Sequence, residues 1–154
     1  MFFFDRKSSI ESPALEIYVG ALNYLIEGNH EKALDYLKRS VHIDTNNIDA
    51  YIKLGILYRK IGQSARAYRI HKELTVRPNL TKNIKLDIFQ NMVLDLKELG
   101  DFEKSLQYTN KILEIDKKKL WAWKQKILLY ELLQDWVKRK VWLLSAYVRV
   151  VYAR

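Results

Sequence analysis

A wholly helical array of stacked helix hairpins is the fold class this sequence predicts, and three observations carry the prediction. Glycine-centred turns recur at Gly28, Gly62 and Gly100, 34 and then 38 residues apart. A small residue follows each glycine by five positions (Ala33, Ala67, Ser105), and a tyrosine or leucine precedes it by four (Tyr24, Tyr58, Leu96). Other turn formers are scarce: five Gly and two Pro in 154 residues supply too few corners for an all-β chain.

The elements follow in order. Ser12-Pro13 suits a helix start, with Ser as N-cap and Pro at the first helical position. Each turn glycine permits the positive φ that ends one helix and begins the next. Asn29 and Asp101 are placed to cap the second helix of their pairs. Pro78 falls after the second pair and closes one repeat, not a domain. Four extra residues near it account for the longer second interval, and Thr81 can cap the helix that follows. A fourth copy continues in phase with Tyr130, Leu143 and Ala146, but Gln134 replaces its glycine and Arg139 its small residue. The expected helices span about 13–27, 30–43, 47–61, 64–76, 82–99, 102–115, 118–133 and 136–152. They make one domain over 1–154, with repeats at about 14–47, 48–85, 86–119 and 120–154.

The spacing has a physical reading. Small residues let antiparallel helices approach closely, and large ones four positions later fill the space beside them, because i and i+4 share a face. One hairpin cannot bury both its faces, so neighbours stack into a solenoid.

This pattern resembles the tetratricopeptide repeat. Tyr51-x2-Leu54-Gly55-x2-Tyr58 follows its Trp-x2-Leu-Gly-x2-Tyr signature, and Ala67-x3-His71 its Ala-x3-Phe, with His71 in the packing slot. The order of Gly20-Ala21-Leu22-Asn23-Tyr24-Leu25, Leu54-Gly55-Ile56-Leu57-Tyr58-Arg59, Arg66-Ala67-Tyr68-Arg69-Ile70-His71-Lys72 and Arg77-Pro78-Asn79-Leu80-Thr81 is more specific. Over about residues 17–135 it resembles the first repeats of the lipopolysaccharide assembly protein B family. The resemblance implies a bacterial adaptor array in the cytoplasm, at the cytoplasmic face of the inner membrane, serving lipopolysaccharide assembly. That family also carries a membrane anchor and a cysteine-rich metal module. This sequence has no cysteine and no apolar stretch long enough to span a membrane, so neither feature is carried over. Met1 to Asp5 holds three phenylalanines but is too short for a signal peptide.

No catalytic constellation is visible. His30, His42 and His71 lack the four-residue spacing of helical metal ligands, and no Gly-rich phosphate loop or nucleophile elbow occurs. His71 is expected as a hydrogen-bonded core residue. No enzyme activity, cofactor or metal is expected, and the expected role is a protein-binding scaffold.

The resemblance places a concave groove on the first helix of each repeat. Its groove positions fall on Tyr18 and Leu22; Asp49, Ile52, Ile56, Arg59 and Lys60; Asp87, Gln90, Leu94 and Lys97; and Trp121, Lys124 and Leu128. Apolar anchors mixed with both charge signs suit a peptide or helical segment of a partner protein. The Lys and Asn pair that clamps a peptide carboxylate in the best-known variant is replaced here by Tyr18 and Leu22. The competing reading is that Leu22, Ile56 and Leu94 pack against neighbouring helices.

Charge is concentrated at one end. Residues 117–154 hold ten Lys and Arg against two Asp and Glu, whereas residues 1–116 are nearly balanced, 17 against 16. Val141, Trp142, Leu144, Val148, Val151 and Tyr152 make the last helix apolar on almost every side, and no polar capping helix follows. A shortened array and burial against a second copy are together the favoured explanations. The alternative function is a membrane-surface or nucleic-acid module built on this basic, aromatic end.

Overall fold

The computed structural model describes residues 13–152, with side chains placed through 137 and again at 141. Within that range the chain forms α1 (Pro13–Ile26), α2 (His30–Ile43), α3 (Ile48–Lys60), α4 (Ser64–Leu74), α5 (Lys82–Glu98), α6 (Phe102–Ile115) and α7 (Leu120–Tyr152). The described residues form no strand.

Each hairpin turns by the same device. Gly28, Gly62 and Gly100 have φ of 73°, 79° and 74°, a left-handed conformation that costs a side-chain-bearing residue strain. The amide after each glycine donates to the carbonyl five residues back: Asn29 to Tyr24 at 2.9 Å, Gln63 to Tyr58 at 2.8 Å and Asp101 to Leu96 at 2.9 Å. This is the Schellman arrangement, and it satisfies carbonyls the helix end would otherwise strand. Asn29 and Asp101 then cap the next helices by accepting from Lys32 N (3.1 Å) and Lys104 N (3.2 Å). Gln63 makes no such bond; its side chain accepts from Arg66 instead.

The joints between repeats are of two kinds. Asp44 and Asp116 take up extended backbone, and their carboxylates accept from Asn46 N (2.9 Å) and Lys118 N (3.0 Å). The joint between α4 and α5 carries the insertion: Asn79 stands at φ 59°, and Thr81 Oγ1 accepts from Ile84 N at 3.3 Å.

Small residues stand where the helices of a pair meet. Ala33, Ala67 and Ser105 are fully buried. Ser105 Oγ donates to the carbonyl of Val93 at 2.9 Å, which brings α6 onto α5. At Gly55 a Cβ would lie 2.4 Å from His71 Nε2, so the imidazole ring takes the space a side chain would fill. The core runs along the array as three linked clusters. One joins the first two hairpins around Leu37 and Leu57. The next lies at the α3–α4–α5 junction around Leu74 and Met92, and the last spans α5, α6 and α7 around Ile112 and Leu129. A core drawn out in this way is the solenoid pattern.

The last repeat departs from expectation. In place of helices over 118–133 and 136–152, α7 is one helix of 33 residues. Gln134 continues the helix where the other repeats have a left-handed glycine. Arg139 falls at the place of Ala33, Ala67 and Ser105, and Ile127 at that of Ala21, Gly55 and Val93. Gln134 lacks glycine's access to positive φ, and the sequence sets large residue types at the two positions where the other repeats carry smaller ones.

Candidate functional site: the face of the first helices

The first helices α1, α3, α5 and α7 lie along one face, and polar side chains tie each to the next. The Tyr18 hydroxyl donates to Asp49 from α1 to α3. Burial, and then the Asp49 carboxylate, push the Tyr18 hydroxyl well above its ordinary pKa, so it stays a donor. From α3 to α5, Arg59 reaches Asp95 Oδ1 at 2.5 Å, the Asn91 carbonyl at 3.2 Å and Asn91 Oδ1 at 3.0 Å. From α5 to α7, Lys97 Nζ donates to Gln125 Oε1 at 3.3 Å.

The middle rung runs inward. Asp95 is fully buried, and its second oxygen lies 2.5 Å from Nδ1 of the equally buried His71. The other ring nitrogen faces the carbonyl of Ile52 at 3.3 Å. Both imidazole nitrogens therefore face oxygens, and the ring is held from two sides. Arg59 and His71 together enclose the carboxylate, which a buried charge requires if it is not to be left uncompensated. His71 is thus the hydrogen-bonded core residue its slot predicted. With no nucleophile among its partners, this cluster joins the second repeat to the third.

The predicted groove residues divide by burial. Asp49, Lys60, Asp87, Lys124 and Leu128 are exposed. Tyr18, Leu22, Ile56, Arg59, Gln90, Leu94, Lys97 and Trp121 are half-buried, and Ile56 and Trp121 pack against the core clusters. Ile52 is corrected: at 7% exposure it points beneath the face into the cluster of Leu74, Leu80, Ile88 and Met92. Of the predicted assembly residues, Val141 is 61% exposed; the side chains of Trp142, Leu144, Val148, Val151 and Tyr152 lie outside the described set, as does the Met1–Asp5 segment. Asn91, Asp95 and Gln125 complete the rungs and were missed. The one signal for them was Asp95, an acid between Leu94 and Leu96 in an otherwise apolar run.

Elsewhere, the 75–81 insertion borders a half-open cleft of about 320 Å3 lined by Thr75, Leu80, Lys85, Ile88, Phe89 and Ile115. Among the described residues no group of three or more His, Cys, Asp or Glu could hold a metal ion. No helix there is long and apolar enough to cross a membrane.

Hairpins of this geometry, stacked with small-residue contacts and glycine turns, give the chain the tetratricopeptide-repeat fold. In sequence it is similar to lipopolysaccharide assembly protein B. The protein of that name from Escherichia coli K12 is 27% identical over 121 residues, 79% of this chain. That from Haemophilus influenzae is 28% identical over 131 residues. The chain spans about a third of the length of these relatives, 31% and 33%. No protein-family model matches it. Among solved structures, the Sgt2 repeat domain from Aspergillus fumigatus superposes with a TM-score of 0.70 at 13% identity, covering 82% of this chain and 83% of that one. The first repeat domain of Spaghetti (RPAP3), bound to an HSP90 peptide, superposes with a TM-score of 0.67 at 16% identity, covering 79% and 95%.

Proposed function

We propose that the chain is a non-catalytic adaptor that holds a segment of a partner protein along the face of its first helices. The observation that carries this reading is the run of three polar rungs aligning α1, α3, α5 and α7 into one continuous surface. Exposed Asp49, Asp87, Lys60 and Lys124 stand on that surface with Leu128. Charges of both signs beside a modest apolar surface suit a polar segment with few anchors better than a deeply inserted helix. Peptide-bound relatives of the same fold support the reading, since RPAP3 was solved with an HSP90 peptide. The relatives' name supports a role in lipopolysaccharide assembly, which would put the chain at the cytoplasmic face of the inner membrane.

The test is affinity capture with the chain as bait, followed by titration of each captured partner. Lys60→Glu with Lys124→Glu, and separately Asp87→Lys, should weaken binding at least tenfold while leaving the far-ultraviolet circular dichroism unchanged. Partners that bind all three forms alike would place the contact elsewhere on the array.

A further inference from the structure

α7 carries a second pattern that the repeat does not use. Leu120, Trp123, Ile127, Tyr130, Gln134, Val137, Val141, Leu144, Val148 and Val151 follow one another at alternating intervals of three and four residues, without a break. All lie within the single helix. Nine of the ten are apolar, and an alternation of this kind sustained over four heptads is the signature of a coiled-coil seam. The apolar members whose side chains are placed are open to solvent: Leu120 65%, Trp123 45%, Ile127 61%, Tyr130 53%, Val137 54% and Val141 61% exposed. The array leaves these six side chains open, because α7 packs on α5 and α6 through other residues, Ala122 and Leu129.

We infer that the stripe is a dimerisation seam, and that its occupant is α7 of a second copy running antiparallel. The spacing is self-complementary in that direction. With a two-fold axis between residues 135 and 136, Leu120 faces Val151 of the second copy, Trp123 faces Val148, Ile127 faces Leu144, Tyr130 faces Val141 and Gln134 faces Val137. The flanking charges agree. In this register Glu131 comes opposite Lys138 of the second copy, and twofold symmetry repeats the pair. A parallel pair would instead set Lys119 against Lys124, a repulsion that offsets its one attraction, Lys126 with Glu131. The one polar seam position, Gln134, stands beside the axis, where a polar core residue selects register at some cost in stability. The antiparallel arrangement places the two arrays at opposite ends of a rod.

Light scattering of the whole chain across a concentration series tests this. The expected result is a concentration-dependent mass rising to twice that of the monomer. Lys138→Glu should weaken the dimer at least fivefold, and adding Glu131→Lys should restore it, because the exchanged pair attracts again. Glu131 is exposed, and circular dichroism serves as a folding control for both variants. Orientation is read by cross-linking, which the absence of native cysteine makes clean. Ile127→Cys chains mixed with Leu144→Cys chains should form a mixed disulfide, and Ile127→Cys chains alone should not. A monomer at every concentration, a double charge exchange that fails to restore the dimer, or self-linked Ile127→Cys chains would each overturn the inference.

Discussion

Where a hairpin must close, the first three repeats and the fourth present opposite chemistry. Ala21 stands at the same repeat position as Gly55, Val93 and Ile127; Ala33 at that of Ala67, Ser105 and Arg139. The aromatic or leucine before the turn shows the outcome. Tyr58 and Leu96 are 8% and 2% exposed, sealed under their second helices, whereas Tyr130 at the equivalent place is 53% exposed. Tyr24 of the first repeat is half-buried, so tyrosine stands there in three of the four repeats while its surroundings differ. A repeat therefore closes when two conditions hold together: a glycine free to adopt positive φ, and helix faces small enough to touch. α7 meets neither, and the same substitutions that leave it open also leave its apolar stripe uncovered.

The strongest way to break this contrast is to give a closed hairpin the fourth repeat's chemistry. Ala67→Arg puts a long charged side chain at a fully buried contact. It should cost about 4 kcal/mol or more, enough to melt the second hairpin, and urea unfolding followed by circular dichroism would show it. A smaller loss, about 3 kcal/mol, is expected from Asp95→Ala, which leaves buried His71 and Arg59 facing each other without the carboxylate between them. If that variant unfolds no earlier than the parent, the rung is not what joins the second and third repeats.

The reverse exchange sharpens the contrast. Gln134→Gly with Arg139→Ala and Ile127→Gly supplies what the fourth hairpin lacks. Each glycine costs a straight helix about 1 kcal/mol, so the extended form is weakened while the folded-back form becomes accessible. Small-angle scattering should report a shorter particle, and an unchanged maximum dimension would mean that something other than turn and contact chemistry holds α7 straight. The smallest effect concerns pH. A hydrogen bond from Lys104 holds the Asp101 carboxyl below its ordinary value, so its contribution is present above the unfolded-state value and is lost as pH falls through the folded one. The pair is exposed to solvent and salt screens it. Asp101→Asn should therefore flatten the acid limb of the stability profile only slightly, in the region below about pH 4.

Most of the array was legible in the residues because its determinants are local. A glycine five residues before an alanine, with a tyrosine four residues earlier still, specifies a turn, a close contact and a packed ring within a single hairpin. Asn29, Asp101 and Thr81 cap the helices they were expected to cap, for the same reason. The groove was less legible. Ile52 and Ile56 are one helical turn apart on α3, yet one is buried in the core and the other only half-buried against the same cluster. Which of them is buried depends on where α4 and α5 arrive, and no spacing within α3 carries that information.

The chain's own order of residues thus dictates helices, caps, glycine turns and the stacking of small on small, since each of these acts between neighbours on the chain or across one hairpin. Three features needed the folded arrangement: the buried Arg59–Asp95–His71 cluster, the zipping of the first helices and the straightness of α7. Their partners come from different repeats, so their energies depend on distances set by the packing of the whole array. In the case of α7, two signals conflicted, a repeat in phase and a helix without a breaker, and the continuous helix prevailed.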